Sequence, residues 1–171
     1  WMSKKEVALI TGGGTGIGLA VAKKLHSMNK IVVLTGRRKE KLLSAKKKLK
    51  SRCHIIEHDI SKLDSIPSLV SEVEKSIGPI NYLINNAGMH LRKIAIETSD
   101  QEWKDVIDTN LNSVFSLSRE CAKKMIRRKS GNIILVGSVT TIMGLPDVTA
   151  YATSKTALSG LARTLAIELG K

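Results

Sequence analysis

Residues 7–18, VALITGGGTGIG, carry the reading that decides the fold. VALIT (7–11) is a short apolar run without polar alternation, which suits a strand buried on both faces. It runs directly into glycines and then into GIGLAVAKKLHSM (16–28), where Ile17, Val21, Leu25 and Met28 recur at helical spacing. A strand, a glycine turn and a helix in succession set the helix's first N–H groups beside the strand's carboxyl end. Such a cradle suits the pyrophosphate of a dinucleotide, because the N–H groups face the anion and glycines let the main chain come close. Gly12, Gly16 and Gly18 follow the spacing T-G-x-x-x-G-x-G, not the commoner G-x-G-x-x-G. With Thr15 and Ile17 they form the first set of candidate cofactor residues.

The pattern repeats outward from this turn. IVVLT (31–35), HIIEH (54–58), YLINN (82–86) and NIILVG (132–137) read as further buried strands, with helical patterns between them. SIPSLVSEVEKSIGP places Ile66, Leu69, Val70, Val73 and Ile77 on one face, with Pro67 early and Gly78-Pro79 as the stop. From Ser99 a single long helix is predicted, opened by a Ser99–Glu102 capping box. Arg127, Arg128 and Lys129 complement its dipole, and Gly131 ends it. Strand–helix alternation predicts an α/β fold: a Rossmann-type, doubly wound parallel sheet in the order 3-2-1-4-5, with helices on both faces. Residues 1–171 read as one dinucleotide-binding domain, with no linker or internal repeat.

Composition narrows the partners. The aromatic fraction of 3% forces an aliphatic core. Lys+Arg 28 against Asp+Glu 15 leaves +13, a balance that raises nucleic acid or an anionic ligand as a partner. The charge is concentrated at 36–52 and 123–129, which read as solvated helix faces and ends with an anion site in the first cluster. With so few aromatics to stack bases, nucleic-acid binding is not expected. Cys53 and Cys121 stand far apart, and His26, His54, His58 and His90 are scattered, so no metal site is expected. Free thiols fit a reducing cytoplasm. Trp1 ahead of Met2 reads as a residue added for expression, the first strand near Glu6 leaves no room for a signal peptide, and no apolar run is long enough to span a membrane.

The end of the second strand indicates which dinucleotide. An acid about 20 residues beyond the glycines would hold the ribose 2′-hydroxyl of NAD. Gly36, Arg37 and Arg38 stand there instead, and guanidiniums suit a 2′-phosphate, so NADP(H) is expected over NAD(H).

Near the C-terminus, Tyr151 and Lys155 in YATSK are one helical turn apart and so share a face. Together with T-G-x-x-x-G-x-G at 11–18, Asp59 in HDI, N-N-A-G at 85–88, Asn110 in the long helix and Ser138 after the fifth strand, they occur in a telling order. On these motifs the chain resembles the short-chain dehydrogenase/reductase family from its first strand to its last residue. The likeness is nearest to bacterial reductases of 3-oxoacyl chains on acyl carrier protein, enzymes of fatty acid biosynthesis, and to sugar or polyol dehydrogenases of similar layout. The resemblance implies hydride transfer between NADP(H) and a carbonyl or alcohol. It implies that Asp59 contacts the adenine amino group with Ile60 beside it, and that Asn85, Asn86, Ala87 and Gly88 line the adenosine side. Asn110 would kink the long helix and hold a water, Ser138 would bind the substrate carbonyl, Tyr151 would be the acid/base, and Lys155 would hold the nicotinamide ribose.

Elementary chemistry agrees with these roles. Reducing a ketone needs a hydride at carbon and a proton at oxygen, and the protein must supply the proton. A free phenol ionises only near pKa ~10, and an ammonium ~4 Å from it in a partly buried site favours ionisation by up to about 4 kcal/mol. Plainer readings compete at single positions. Ser138 could be a cap in VGSVTT, Asn110 an ordinary if unfavourable helix residue, and Thr153 and Ser154 read as helix surface. Met143, Leu145 and Pro146 near the pocket mouth suit an apolar substrate; Arg127, Arg128 and Lys129 could meet an acidic carrier, but dipole compensation is the favoured reading.

The family resemblance also implies a homodimer or homotetramer built by pairing the long helix (about 100–129) and the Tyr/Lys helix (about 150–169). Members of the family continue past that helix with a sixth strand, a substrate-covering segment and a seventh strand, whereas this chain ends at Gly170-Lys171. A C-terminally truncated protein is therefore expected, with an unpaired sheet edge beside NIILVG and no lid. An inactive, cofactor-binding fragment is the alternative.

Overall fold

A computed structural model describes residues 6–170, so Trp1 and the chain end at Lys171 lie outside the described residues. Each strand foreseen in the sequence forms: β1 (Val7–Thr11), β2 (Ile31–Gly36), β3 (Cys53–Glu57), β4 (Ile80–Asn85) and β5 (Asn132–Leu135). They make one parallel sheet in the order β3-β2-β1-β4-β5, as the doubly wound pattern predicts. Among the described residues β5 has a strand partner on one side only. β1 lies at the centre, and all five of its residues are buried, which is why the strand is continuously apolar up to Thr11.

Among the described residues six α-helices flank the sheet: α1 (Gly16–Ser27), α2 (Lys39–Leu49), α3 (Ile66–Ser76), α4 (Asp100–Ile107), α5 (Ser113–Arg127) and α6 (Thr149–Leu169). Strand alternation divides the core in two. Ala8, Ile10, Val32 and Leu34 meet Ala22 of α1 and Leu42, Ala45 and Leu49 of α2. On the other face Val7, Leu9, Val33 and Leu83 meet Ile66, Leu69, Val70 and Val73 of α3 and Leu117, Cys121 and Met125 of α5. The largest fully buried side chains are all Leu, Ile and Val, consistent with an aliphatic core. The lysines of α2 project outward from its three buried positions. Among the described residues no helix is long and apolar enough to cross a membrane.

Three local expectations are corrected. Only the middle of the apolar stripe of α1 faces the core: Val21 and Leu25 pack against it, whereas Ile17 is 63% exposed and Met28 53%, and Gly18 and Ala22 are the fully buried positions. The single long helix is also interrupted, because between α4 and α5 the backbone makes one π turn over Asp108–Asn112. At its far end Gly131 is not the left-handed stop; Lys129 takes that conformation (φ 52°), and the Met125 side chain fills the space that a Cβ at Gly131 would need. The capping box is present, with Glu102 N–H donating to Ser99 Oγ at 3.2 Å and Ser99 N–H to Glu102 Oε2 at 2.9 Å. Arg128 is not a free surface cation: it bonds both Glu74 carboxylate oxygens (3.0 and 3.1 Å) and the Ile80 carbonyl.

Candidate active site

Parallel strands deliver their carboxyl ends to one edge of the sheet, and the loops leaving β1, β2, β3 and β4 meet there around a cleft of about 340 Å³. Gly12, Thr15, Gly16 and Ile17 of the first turn line it, as do Arg37, Arg38, Asp59, Ile60, Asn86, Ala87 and Gly88. Gly18 stands behind the wall, where a Cβ would come within 2.6 Å of the Asn86 amide nitrogen, so only glycine lets the turn seat on β4's end. Gly16 adopts φ +52° and has nothing within 4 Å on the side where a Cβ would project, a backbone cradle open to a ligand. Asn86 clamps the turn from below: its side-chain nitrogen donates to Thr11 O at 2.9 Å and Gly12 O at 3.3 Å. The N–H groups of Asn86 and Ala87 donate to Thr11 Oγ1 at 3.0 and 2.9 Å.

The cleft also gathers residues that the sequence reading missed: Gly14, Lys41, Leu42, His58 and Thr109. Lys41 had a signal, since it stands in the first turn of α2, in the same basic run as Arg37 and Arg38. His58 and Thr109 had none, being delivered by the β3 exit and the π turn. Arg37, Arg38 and Lys41 thus give the wall three cations. Burial opposes ionisation of Asp59, but Ser61 Oγ and Ser61 N–H donate to its Oδ1 at 2.8 and 3.0 Å, and Arg37 and Lys62 add attraction. The balance holds its carboxylate below the ordinary range, charged and ready to accept. Open glycine backbone, a helix N-terminus and a basic wall fit a phosphorylated dinucleotide.

At Gly88 the cleft adjoins the second group of residues. A Cβ there would lie 3.4 Å from Asn110 Oδ1 and 3.8 Å from Lys155 Nζ. Lys155 is buried on α6, its Nζ donating to Val136 O at 2.7 Å and lying 5.9 Å from the Tyr151 ring centroid. Burial pushes its ammonium below the ordinary lysine range. Ser138 accepts from Thr140 N–H at 3.2 Å, so it does cap the short turn Val139–Thr141. That bond uses the hydroxyl as an acceptor and leaves its hydrogen to donate. The turn itself docks on α6 through Thr156 Oγ1, which donates to Thr140 O at 3.2 Å.

Asn110, inside the π turn, accepts from Met89 N–H at 2.7 Å and donates to Met89 O at 2.8 Å and Ser154 Oγ at 3.1 Å. Both of its amide hydrogens are committed, which gives a mid-helix asparagine its reason. Ser154 corrects the sequence reading: it is fully buried, not surface, and its hydroxyl donates to Tyr151 O at 2.7 Å. Thr153 is exposed, as expected. His90, which no motif singled out, lies against Tyr151 with ring centroids 4.7 Å apart.

The family profile described as short chain dehydrogenase matches residues 6–171. The chain is 36% identical over 168 residues to a 3-oxoacyl-[acyl-carrier-protein] reductase of Buchnera aphidicola, covering 96% of this chain and 68% of the relative. It is 35% identical over 167 residues to gluconate 5-dehydrogenase of Gluconobacter oxydans, covering 96% and 65%. A crystal structure of a metagenomic short-chain oxidoreductase in complex with NADP superposes with a TM-score of 0.92 at 34% identity, covering 96% of this chain and 76% of that one. The chain spans about two thirds of the length of the curated relatives it matches.

Proposed function

The chain belongs to the short-chain dehydrogenase family, and on that premise we propose that it catalyses hydride transfer between NADP(H) and a carbonyl or alcohol substrate. The observation that carries the reading is the buried Lys155 ammonium beside the Tyr151 ring, at the point where the cleft ends on Gly88. The bound nicotinamide supplies or takes the hydride. Everything else falls to the protein. Arg37 and Arg38, with Lys41 behind them, hold the 2′-phosphate; Asp59 accepts from the adenine amino group, with Ile60 beside it. Gly12, Thr15, Gly16, Ile17 and Gly18 form the pyrophosphate turn, and Asn86, Ala87 and Gly88 carry the cofactor onward to Lys155.

During reduction Tyr151 gives its phenolic proton to the carbonyl oxygen, and Lys155 stabilises the phenolate left behind. Ser138 donates its hydroxyl hydrogen to the same oxygen. Asn110 positions these groups through Met89 and Ser154. For substrate, a 3-oxoacyl thioester, presented by an acyl carrier protein, is the favoured class. The β5–α6 loop exposes Ile142 at 87%, Met143 at 52% and Leu145 at 47%, an apolar rim that suits an acyl chain better than a sugar acid. We assign the protein to the cytoplasm. Exposed Trp103 on α4 and Phe115 on α5 support pairing of the long helix with a second copy.

The test is NADPH oxidation with ethyl acetoacetate and simple ketones. Tyr151→Phe is expected to lose about 10²–10⁴-fold in kcat while still binding NADPH. An unimpaired Tyr151→Phe would refute the acid role. Tight NADPH binding with no carbonyl reduced by the wild type would favour a binding-only protein.

A further inference from the structure

We infer that His90 sets substrate choice: its imidazole, held against the phenol of Tyr151, donates a hydrogen bond to a second acceptor beside the reacting carbonyl. This rests on the reduction at Tyr151 proposed above. The two rings lie with centroids 4.7 Å apart and planes tilted by 49°, a direct aromatic contact.

The loop that carries His90 is fastened at both ends. On one side Met89 is bonded in both directions to the Asn110 side chain at 2.7 and 2.8 Å. Asn110 in turn holds Ser154, whose hydroxyl donates to Tyr151 O at 2.7 Å. On the other side Lys93 N–H donates to Asp147 O at 2.7 Å, and Lys93 forms a parallel bridge with Val148, directly ahead of α6. Both anchors belong to the structure that positions Tyr151, so imidazole and phenol are held as one unit.

The ring nitrogens are available. His26 bonds Ser51 O and His58 bonds Ser65 Oγ, at 2.7 and 2.9 Å. His90 is exposed, and among the described residues neither of its ring nitrogens has a hydrogen-bond partner. A neutral imidazole offers one N–H donor and a protonated one two. A donor fixed this close to the phenol reaches substituents one or two bonds from the carbonyl that the phenol protonates. The substrates it favours therefore carry an acceptor on the adjacent carbon, as 2-hydroxy ketones do, or on the carbon beyond it, as 3-oxo esters and 3-oxo thioesters do, whereas simple ketones carry neither.

Two measurements test this on the intact protein. His90→Phe keeps an aromatic ring against Tyr151 and removes both nitrogens, and His90→Gln restores a donor. In His90→Phe the preference for ethyl acetoacetate over cyclohexanone, as a ratio of kcat/KM, should fall about three- to tenfold, the worth of one neutral hydrogen bond, and His90→Gln should recover part of it. Binding of ethyl acetoacetate to the NADP⁺-loaded protein, followed by NMR titration, should weaken by the same factor, and this readout needs no turnover. An unchanged ratio, an unchanged dissociation constant, or no binding to the wild type overturns the inference. Weakened binding in His90→Phe with no turnover by the wild type would leave the His90 contact standing and sink the proposed reduction instead.

Discussion

Arg37 stands at the mouth of the cleft within electrostatic range of Asp59, and its position shows why some site residues are legible in a sequence. The strand it follows is unmistakable, so the place where a ribose-binding acid would stand can be counted, and finding a guanidinium there is informative. Replacing it by the acid should reverse the preference. In Arg37→Asp, kcat/KM with NADPH relative to NADH is expected to fall about ten- to a hundredfold, because a charge-assisted contact becomes a repulsion. A ratio that stays put would show that Arg38 or Lys41 reads the phosphate. Ser154 is the opposite case. Serine in an amphipathic helix reads as surface, and nothing nearby in the chain reveals that Asn110 reaches it from a different helix.

The long helix carries the clearest lesson among the elements. Its start was legible because a capping box is a local device, Ser99 and Glu102 answering each other's backbone N–H. Glu102 also receives the Lys93 ammonium at 3.0 Å, so the same carboxylate anchors the β4–α4 loop. Hydrogen bonds from Ser99 N–H and from Lys93 pull its pKa from 4.5 to about 2. A depressed carboxylate favours the folded state above its unfolded pKa, and that contribution is lost as pH falls through the folded value. Wild-type Tm should therefore drop more steeply than that of Glu102→Gln between pH 4.5 and 2. Glu102 is a third exposed, so the difference will be largest at low salt. Parallel curves for the two proteins would show that the carboxylate charge is idle. Further along, the family resemblance placed a kink at Asn110 and the π turn falls there; not legible was that the Asn110 side chain bonds the Met89 backbone in both directions.

At the scale of the whole molecule, the two core layers are bound into one sheet, and α3, β4 and the end of α5 are tied at one point. Glu74 accepts from Ile80 N–H at 2.8 Å and pairs with Arg128, which also donates to Ile80 O. Their side chains are only 15% and 24% exposed. Arg128→Ala should lower unfolding free energy by about 1–3 kcal/mol, since it leaves a largely buried carboxylate and a carbonyl without their partner. Urea denaturation measures this, and an unmoved midpoint would show that the pair contributes nothing. The sequence reading assigned Arg128 to the helix dipole. Only packing shows that its guanidinium is already engaged.

The sequence by itself determined the succession of strands and helices, the sheet order, the glycine turn, the basic end of β2 and the Tyr151–Lys155 pair. Apart from the sheet order, which follows from the doubly wound plan as a whole, each of these depends on residue types within a few positions of one another, where periodicity, capping and backbone freedom act directly. Only the tertiary structure decided the partners of Asn110, the burial of Ser154, the third cation Lys41 and the imidazole against Tyr151. Asn110 meets Met89 across 21 residues and Ser154 across 44, and Arg128 meets Glu74 across 54. Contacts of that span form only once the sheet has aligned the strand ends, because the sheet brings the loops together and the local sequence of each loop does not name its neighbour.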